Sequence, residues 1–339
     1  MKKNAPRVCQ GGISFHKSKG QHILKNPGTT IDKMVLRSGI NPTDVILEIG
    51  PGTGNLTTKL LETGKSVIAI EKDPRMVLEL QRRFQGQITS RKLQVLNEDV
   101  LKCDFPYFDI CVANIPYQIS SPLITKLLSH TWAYRCAVLM LQKEFADRLW
   151  AKPGDKHYSR LSVNTQFRAK VTHLFEVGRN NFRPPPKVDS SVVRIEPIKS
   201  PCFKEWDGFT HICFSRKSKT LGSIFRQKSL LSLLENNYKT LFALRSCQIK
   251  SSEACPDKVA AQVGLIDDGD DDDNEEMEID NNVDIIMESE DVGLGSEFKN
   301  KVLSVLKGGK FEDKRSLQLN QKDFLQLLSL FNEAGIHFA

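Results

Sequence analysis

Between residues 29 and 168 the chain alternates short apolar runs with stretches whose apolar positions recur every three or four residues. The runs at 45–49, 66–70, 93–96, 110–113 and 136–141 are too short for helices and are bounded by turn residues, so they read as buried strands. The stretches at roughly 29–39, 55–62, 74–84, 121–128, 143–150 and 159–168 read as amphipathic helices. Ile31, Met34 and Val35 share a face of the first; Met76, Val77 and Leu80 share a face of the third, which Pro74 opens. Ser121 stands where it would cap the fourth, and Pro153-Gly154-Asp155 form the turn before the last. Strand and helix in regular alternation predict an α/β domain with a Rossmann-like parallel sheet. Two further runs, 171–177 and 191–198, read as a strand pair joined by a stiff loop that contains Pro184, Pro185 and Pro186.

Beyond residue 200 the pattern is helical. It begins at Trp206 to Cys213 and returns at 297–306 and 320–334, where Phe324, Leu327, Leu328 and Phe331 point inward and Gly335 is the stop. The expected organisation is a basic flexible arm at 1–19, an α/β domain at 20–200 and a small α-helical C-terminal domain at 201–339. An acidic stretch at about 251–294, with few aromatics, reads as a disordered insertion in the last of these.

Charge changes the picture. The net charge of +7 conceals 14 Asp and Glu within residues 267–291, which leaves 48 basic against 27 acidic side chains elsewhere. That excess favours a polyanionic partner, because Lys and Arg contacts to phosphate release counterions. Arg216, Lys217, Lys219, Arg226 and Lys228 gather in the helical region as a candidate RNA-facing surface. The 8 cysteines show no C-x-x-C spacing and no His at zinc-ligand spacing, so a reducing compartment and no metal are expected. No apolar run approaches the ~18 residues of a membrane span, so no membrane partner is expected.

The candidate chemistry collects at strand ends. Asn114-Ile115-Pro116-Tyr117 follows the fourth strand, where an amide oxygen and a backbone carbonyl can accept both hydrogens of an exocyclic amine and a ring can stack on a base. Gly50-Pro51-Gly52-Thr53-Gly54 is a tight strand-to-helix turn whose glycines allow close approach of a ligand. Its spacing is not that of a dinucleotide site, and Glu48 inside the preceding strand is a further departure. Glu71 ends the next strand about twenty residues on, in the register of a ribose-binding acid. Asp99 suits either an adenine amine or a helix cap. Phe182 reads equally as a fixed ring beside the Asn114 corner or as a loop aromatic folded onto the core, and His22 could be simple packing.

Together, Glu48 to Gly54, Glu71, Asp99, Asn114 to Tyr117 and Asn181-Phe182-Arg183-Pro184-Pro185-Pro186 resemble the ribosomal RNA adenine dimethylase family, with eukaryotic character at residues 20–27 and 116–122. The resemblance runs from about residue 11 to residue 227 and returns near the C-terminus. It implies a class I methyltransferase sheet, S-adenosyl-L-methionine as cofactor, and methyl transfer to the N6 amines of two adjacent adenosines in the 3′-terminal region of small-subunit rRNA. By position, His22 and Leu24 would border the methionine part of the cofactor, Gly50 would lie under it, Glu71 would hold the ribose and Asp99 the adenine amine. Asn114 would serve cofactor and substrate together; Ile115, Pro116, Tyr117 and Phe182 would complete the catalytic set. Two departures stand out: residues 27–43 are one longer than the family form, with Gly28-Thr29-Thr30 where apolar residues are usual, and Lys143 replaces an expected Arg. The partners implied are small-subunit rRNA and pre-ribosomal particles, with a monomer outside the particle and residence in the nucleus, in the nucleolus. The rival reading is a ribosome-assembly factor whose main task is binding precursor rRNA.

Overall fold

The computed structural model describes residues 23–24, 27–130, 134–183, 185–198, 204–250 and 294–338. The basic arm, His22 and the acidic stretch lie outside the described residues, save for Leu294 at the end of that stretch. Contacts divide the chain into two units, Met1–Pro201 and Cys202–Ala339.

In the first unit the elements run β1 (Ile23–Leu24), α1 (Pro27–Ser38), β2 (Val45–Ile49), α2 (Asn55–Thr63), β3 (Ser66–Ile70), α3 (Pro74–Arg83), α4 (Gln85–Thr89) and β4 (Leu93–Leu96). They continue with β5 (Ile110–Asn114), α5 (Ser120–Leu128), β6 (Cys136–Gln142), α6 (Lys143–Trp150), α7 (Arg160–Arg168), β7 (Ala169–Val177), β8 (Phe182–Arg183) and β9 (Ser190–Pro197). Seven strands form one sheet in the order β4-β3-β2-β5-β6-β9-β7. The first five are parallel, and β9 and β7 add an antiparallel edge. Both faces are covered, which is why the central strands are apolar throughout rather than alternating. One face packs Leu47, Ile49, Ala113, Leu123 and Leu139; the other packs Ile31, Met34, Leu60, Val112 and Met140. The unusual start of α1 does not prevent the helix, because Ile31 and Met34 are buried under it.

Strand order reverses direction between β2 and β5, which makes the gap between their carboxyl ends the switch point where open α/β sheets bind ligands. The two strands pair in register at Ile46–Ile110 and Leu47–Cys111. One expectation is corrected here: α5 starts at Ser120 straight after a 3₁₀ turn at Tyr117–Ile119, without a side-chain cap, so Ser121 lies inside its first turn.

The opposite end of the sheet is closed by charge. Arg135 makes a bidentate pair with Asp44, at 3.0 and 2.5 Å, and also donates to the Gly39 carbonyl at 3.0 Å. This guanidinium holds the buried Asp44 carboxyl below the usual range. Arg194 donates to the Ser38 carbonyl at 2.8 Å, tying the end of α1 to β9.

The second unit is helical: α8 (Lys204–Phe214), α9 (Leu221–Phe225), α10 (Lys228–Lys250), α11 (Leu294–Gly308) and α12 (Gln321–Glu333). Phe324, Leu327, Leu328 and Phe331 of α12 are buried as the periodicity requires, and Gly335 ends the helix at φ +75°. Its core is aromatic, with Phe209 and Phe225 each in ring contact with both Phe331 and Phe338. Arg216, Lys217 and Lys219 are exposed in the turn between α8 and α9, whereas Arg226 is tied to Glu312.

Replacing Arg135 by Ala strands a buried carboxylate, so urea unfolding should show a loss of about 3 kcal/mol. Replacing Lys59, whose partners Asp32 and Glu62 are exposed, should change stability by less than about 0.5 kcal/mol.

Candidate active site

The β2–α2 turn is built from glycines because its backbone is left-handed: φ is +66° at Gly50, +57° at Gly52 and +83° at Gly54. A Cβ on Gly54 would sit 2.5 Å from the Phe84 ring, so that position is closed by packing as well. Gly50 donates its N–H to the Ile70 carbonyl at 2.9 Å, and a Cβ there would stand 3.7 Å from Pro116 Cδ. The glycine turn and the Asn114 corner therefore meet across the switch point. Arg83 of α3 fixes the turn from outside, donating to the Thr53 carbonyl at 2.6 Å and to Asn55 Oδ1 at 3.2 Å.

Around this junction lies a cavity of about 540 Å³, within the usual range for small-molecule sites. Leu24, Gly50, Glu71 and Asp99 line it together with Asn114 to Tyr117 and Phe182, so every described residue assigned to the catalytic or cofactor site reaches one space. Glu71 is anchored at β3's end: Oε2 accepts from Gly52 N–H at 3.1 Å and Oε1 from Asp73 N–H at 2.8 Å. Burial raises its pKa while those two N–H groups work against the rise. Each oxygen retains a lone pair for a further donor.

Asp99 caps no helix and lies on the cavity wall. Its Oδ1 accepts from Leu101 N–H at 3.1 Å, which caps a turn rather than a helix, and Oδ2 pairs with Lys72 at 2.8 Å. The Lys72 ammonium is the main cause of its lowered pKa. Lys72 is a cavity-lining cation that sequence reasoning missed; ending one residue after Glu71, it carried no pattern of its own.

At the β5 tip Asn114 is part-buried, and its side-chain amide makes no hydrogen bond to another described residue. Tyr117 is held in place by its hydroxyl, 2.6 Å from Ser190 Oγ at the start of β9. Phe182 needs correction as a second open stacking face. β8 pairs with β1, setting Leu24 opposite Phe182, and the ring is 1% exposed within the core while lining the cavity. Of its two readings the structure has the folded-back one, and the ring forms a wall. Lys143, in place of the expected Arg, pairs with Glu176 at 2.7 Å.

Glu48 was noted as a departure from the dinucleotide pattern and as part of the motif behind the family resemblance, with no role of its own. It is 1% exposed, both its oxygens lack a hydrogen-bond partner among the described residues, and it lines the cavity. Burial pushes its pKa up to about 8; the nearby Thr57 moderates the rise without closing a hydrogen bond of normal geometry, and Glu71 adds to it.

The ribosomal RNA adenine dimethylase model matches residues 12–258. The chain belongs to the ribosomal RNA adenine dimethylase family. It is 61% identical to an Arabidopsis thaliana ribosomal RNA small subunit methyltransferase over 333 residues, covering 97% of this chain and 94% of that one. A probable dimethyladenosine transferase of Dictyostelium discoideum is 49% identical over 339 residues, covering 99% and 95%. Among solved structures, a dimethyladenosine transferase from Plasmodium falciparum superposes with a TM-score of 0.73 at 42% identity, covering 94% of this chain and all of that one.

The family's cofactor is S-adenosylmethionine, and the residues present suit it. The cavity offers a buried acceptor at Glu71 and a half-buried one at Asp99, an open backbone cradle where a Cβ on Gly52 would meet nothing within 4 Å, and a carboxyl group at Glu48 that has no hydrogen-bond partner among the described residues.

Glu48 also makes a testable contribution to the ligand-free protein. Its folded pKa lies above the unfolded value of 4.5, so the folded state holds a proton that the unfolded chain releases, and stability falls as pH rises from about 4.5 to about 8. Thermal melts should therefore show Glu48→Gln raising the melting temperature more at pH 8 than at pH 5.

Proposed function

We propose that this chain transfers methyl groups to the N6 amines of two adjacent adenosines in the 3′-terminal region of small-subunit rRNA, giving N6,N6-dimethyladenosine. The observation that carries this reading is the Asn114 amide at the tip of β5, on the wall of a cavity it shares with Glu71 and Asp99. Three acceptors then fall along the sheet edge in strand order, Asp99 past β4, Glu71 past β3 and Asn114 at β5. Asp99 would take the cofactor's adenine amine, Glu71 its ribose hydroxyls and Leu24 and Gly50 its methionine portion. S-adenosylmethionine supplies an electrophilic methyl group when bound.

An adenine amine is a poor nucleophile because its lone pair is delocalised into the ring. The Asn114 side-chain oxygen and the Ile115 carbonyl would accept its two N–H bonds, localising the lone pair and stabilising positive charge as it develops on nitrogen. Pro116 fixes the backbone that aims these acceptors, and Tyr117 would stack on the unstacked base at a gain of about 1 to 3 kcal/mol. No strong base is needed, because the methylated ammonium loses its proton to water. Arg216, Lys217 and Lys219 would meet RNA phosphate. We place the protein in the nucleolus, as a monomer that acts on pre-ribosomal particles; the basic excess outside 267–291 supports that setting.

Labelled methyl transfer to small-subunit particles lacking the modification should yield dimethyladenosine with the unaltered chain. Asn114→Ala should lower turnover about 100-fold or more while weakening cofactor binding far less. Unchanged turnover would discard the amide mechanism; tight particle binding with no label from the unaltered chain would favour an assembly factor.

A further inference from the structure

Glu48 is a buried carboxyl group on the cavity wall to which the proposed reaction gives no task. It lies on β2, one residue beyond the Leu47–Cys111 pair with β5. Its carboxyl group is buried, unpartnered on both oxygens among the described residues, and on the cavity wall. A buried carboxylate in that state is expensive, and the neutral acid is the form the empty site favours.

The neighbours act in both directions. From α2, Thr57 offers a hydroxyl and an N–H that favour the anion, without closing a hydrogen bond among the described residues; from β3, Glu71 adds like charge; from β5, Cys111 is a thiol whose own pKa Glu48 helps to raise. Lys72, the cation on the cavity wall, is engaged with Asp99.

Strand order indicates what arrives there. With the adenine at Asp99 beyond β4 and the ribose at Glu71 beyond β3, the next strand across is β2, so the amino-acid end of the cofactor comes to lie beside Glu48. This step rests on the placement in the preceding subsection. We propose that Glu48 carries a proton in the empty cavity and yields it to solvent when the α-ammonium of the cofactor docks, so that cofactor binding is coupled to the release of one proton. The balance is simple: a neutral carboxylic acid and an ammonium become a carboxylate–ammonium pair, and the displaced proton goes to the buffer.

The coupling has two consequences. The empty protein avoids an uncompensated buried charge, and the site recognises a cation with a group that is neutral until the cation comes. Affinity must then rise with pH while Glu48 still holds its proton in the empty protein, by about tenfold per unit between pH 6 and 8, and level off above.

The test is calorimetric titration of the full chain with S-adenosylhomocysteine, which keeps the ammonium but lacks the sulfonium, in buffers of different ionisation enthalpy at pH 7. The expected result is close to one proton released per ligand bound. With 5′-methylthioadenosine, which has no amino-acid end, the expected release is none. Glu48→Gln should abolish the release and flatten the pH dependence, leaving only the ligand's own ammonium titration; circular dichroism checks that it folds. Zero release by the unaltered chain overturns the proposal without reference to any variant. So does release that survives in Glu48→Gln but disappears in Glu71→Gln, which would assign the proton to Glu71. Asp99→Asn with unaltered affinity would instead overturn the placement, and with it the assignment to the ammonium.

Discussion

The site depends on the order of the central strands, β3-β2-β5, which reverses direction between β2 and β5. Because the connection out of β2 turns toward β3 and the chain returns to β5 on the other side, no loop crosses the gap. The glycine turn and Asn114 to Tyr117 then face each other over it, closely enough that a Cβ on Gly50 would touch the Pro116 ring. Left-handed backbone at three glycines and the Arg83 clamp keep one lip in place, and the Tyr117–Ser190 hydrogen bond keeps the other.

Electrostatics divides the molecule's two tasks by sign. Outside residues 267–291 the chain is strongly basic, which suits a polyanion, yet its cavity is lined by Glu48, Glu71, Asp73, Glu98 and Asp99. A cationic cofactor is thus drawn to a concave acidic place on a chain whose basic excess suits RNA. Most of these acids are restrained differently: Asp99 by Lys72, Asp73 by Arg75, Glu71 by two backbone N–H groups. Glu48 has none of these, so protonation is the means left to it.

The alternation of apolar runs marked the seven strands of the main sheet and most helices of the first unit to within a few residues, because burial on both faces of a parallel sheet leaves a plain signature; the short helix α4 was not among them. The strand-end residues were readable for the same reason: Glu71, Asp99 and Asn114 are polar residues at or just beyond the ends of apolar runs. What the chain pattern did not carry was lateral. Leu24 and Phe182 meet because two-residue strands far apart in sequence pair, and runs that short have no periodicity. Lys72 against Asp99 and Arg83 against Thr53 are contacts between neighbouring elements, invisible until the sheet order is known. Ser121 misled because a serine before an apolar stretch signals a cap, whereas the 3₁₀ turn at Tyr117–Ile119 feeds the helix directly and makes a cap unnecessary.

The Tyr117–Ser190 bond also explains why the antiparallel edge belongs to the site. Asn114 is delivered by the parallel part of the sheet, while Tyr117, three residues on, leaves it and would be free to turn at the Pro116 bend. Its hydroxyl is held by Ser190, the first residue of β9, whose register against β6 is fixed from Gln142–Ser190 to Ala137–Ile195. The β7–β9 pair carries the loop that ends in the Phe182 wall, so one hairpin sets both aromatic rings. A base brought to Asn114 would meet a ring whose angle is fixed before it arrives, and the alignment of acceptor and stacking face would not have to be assembled during the reaction.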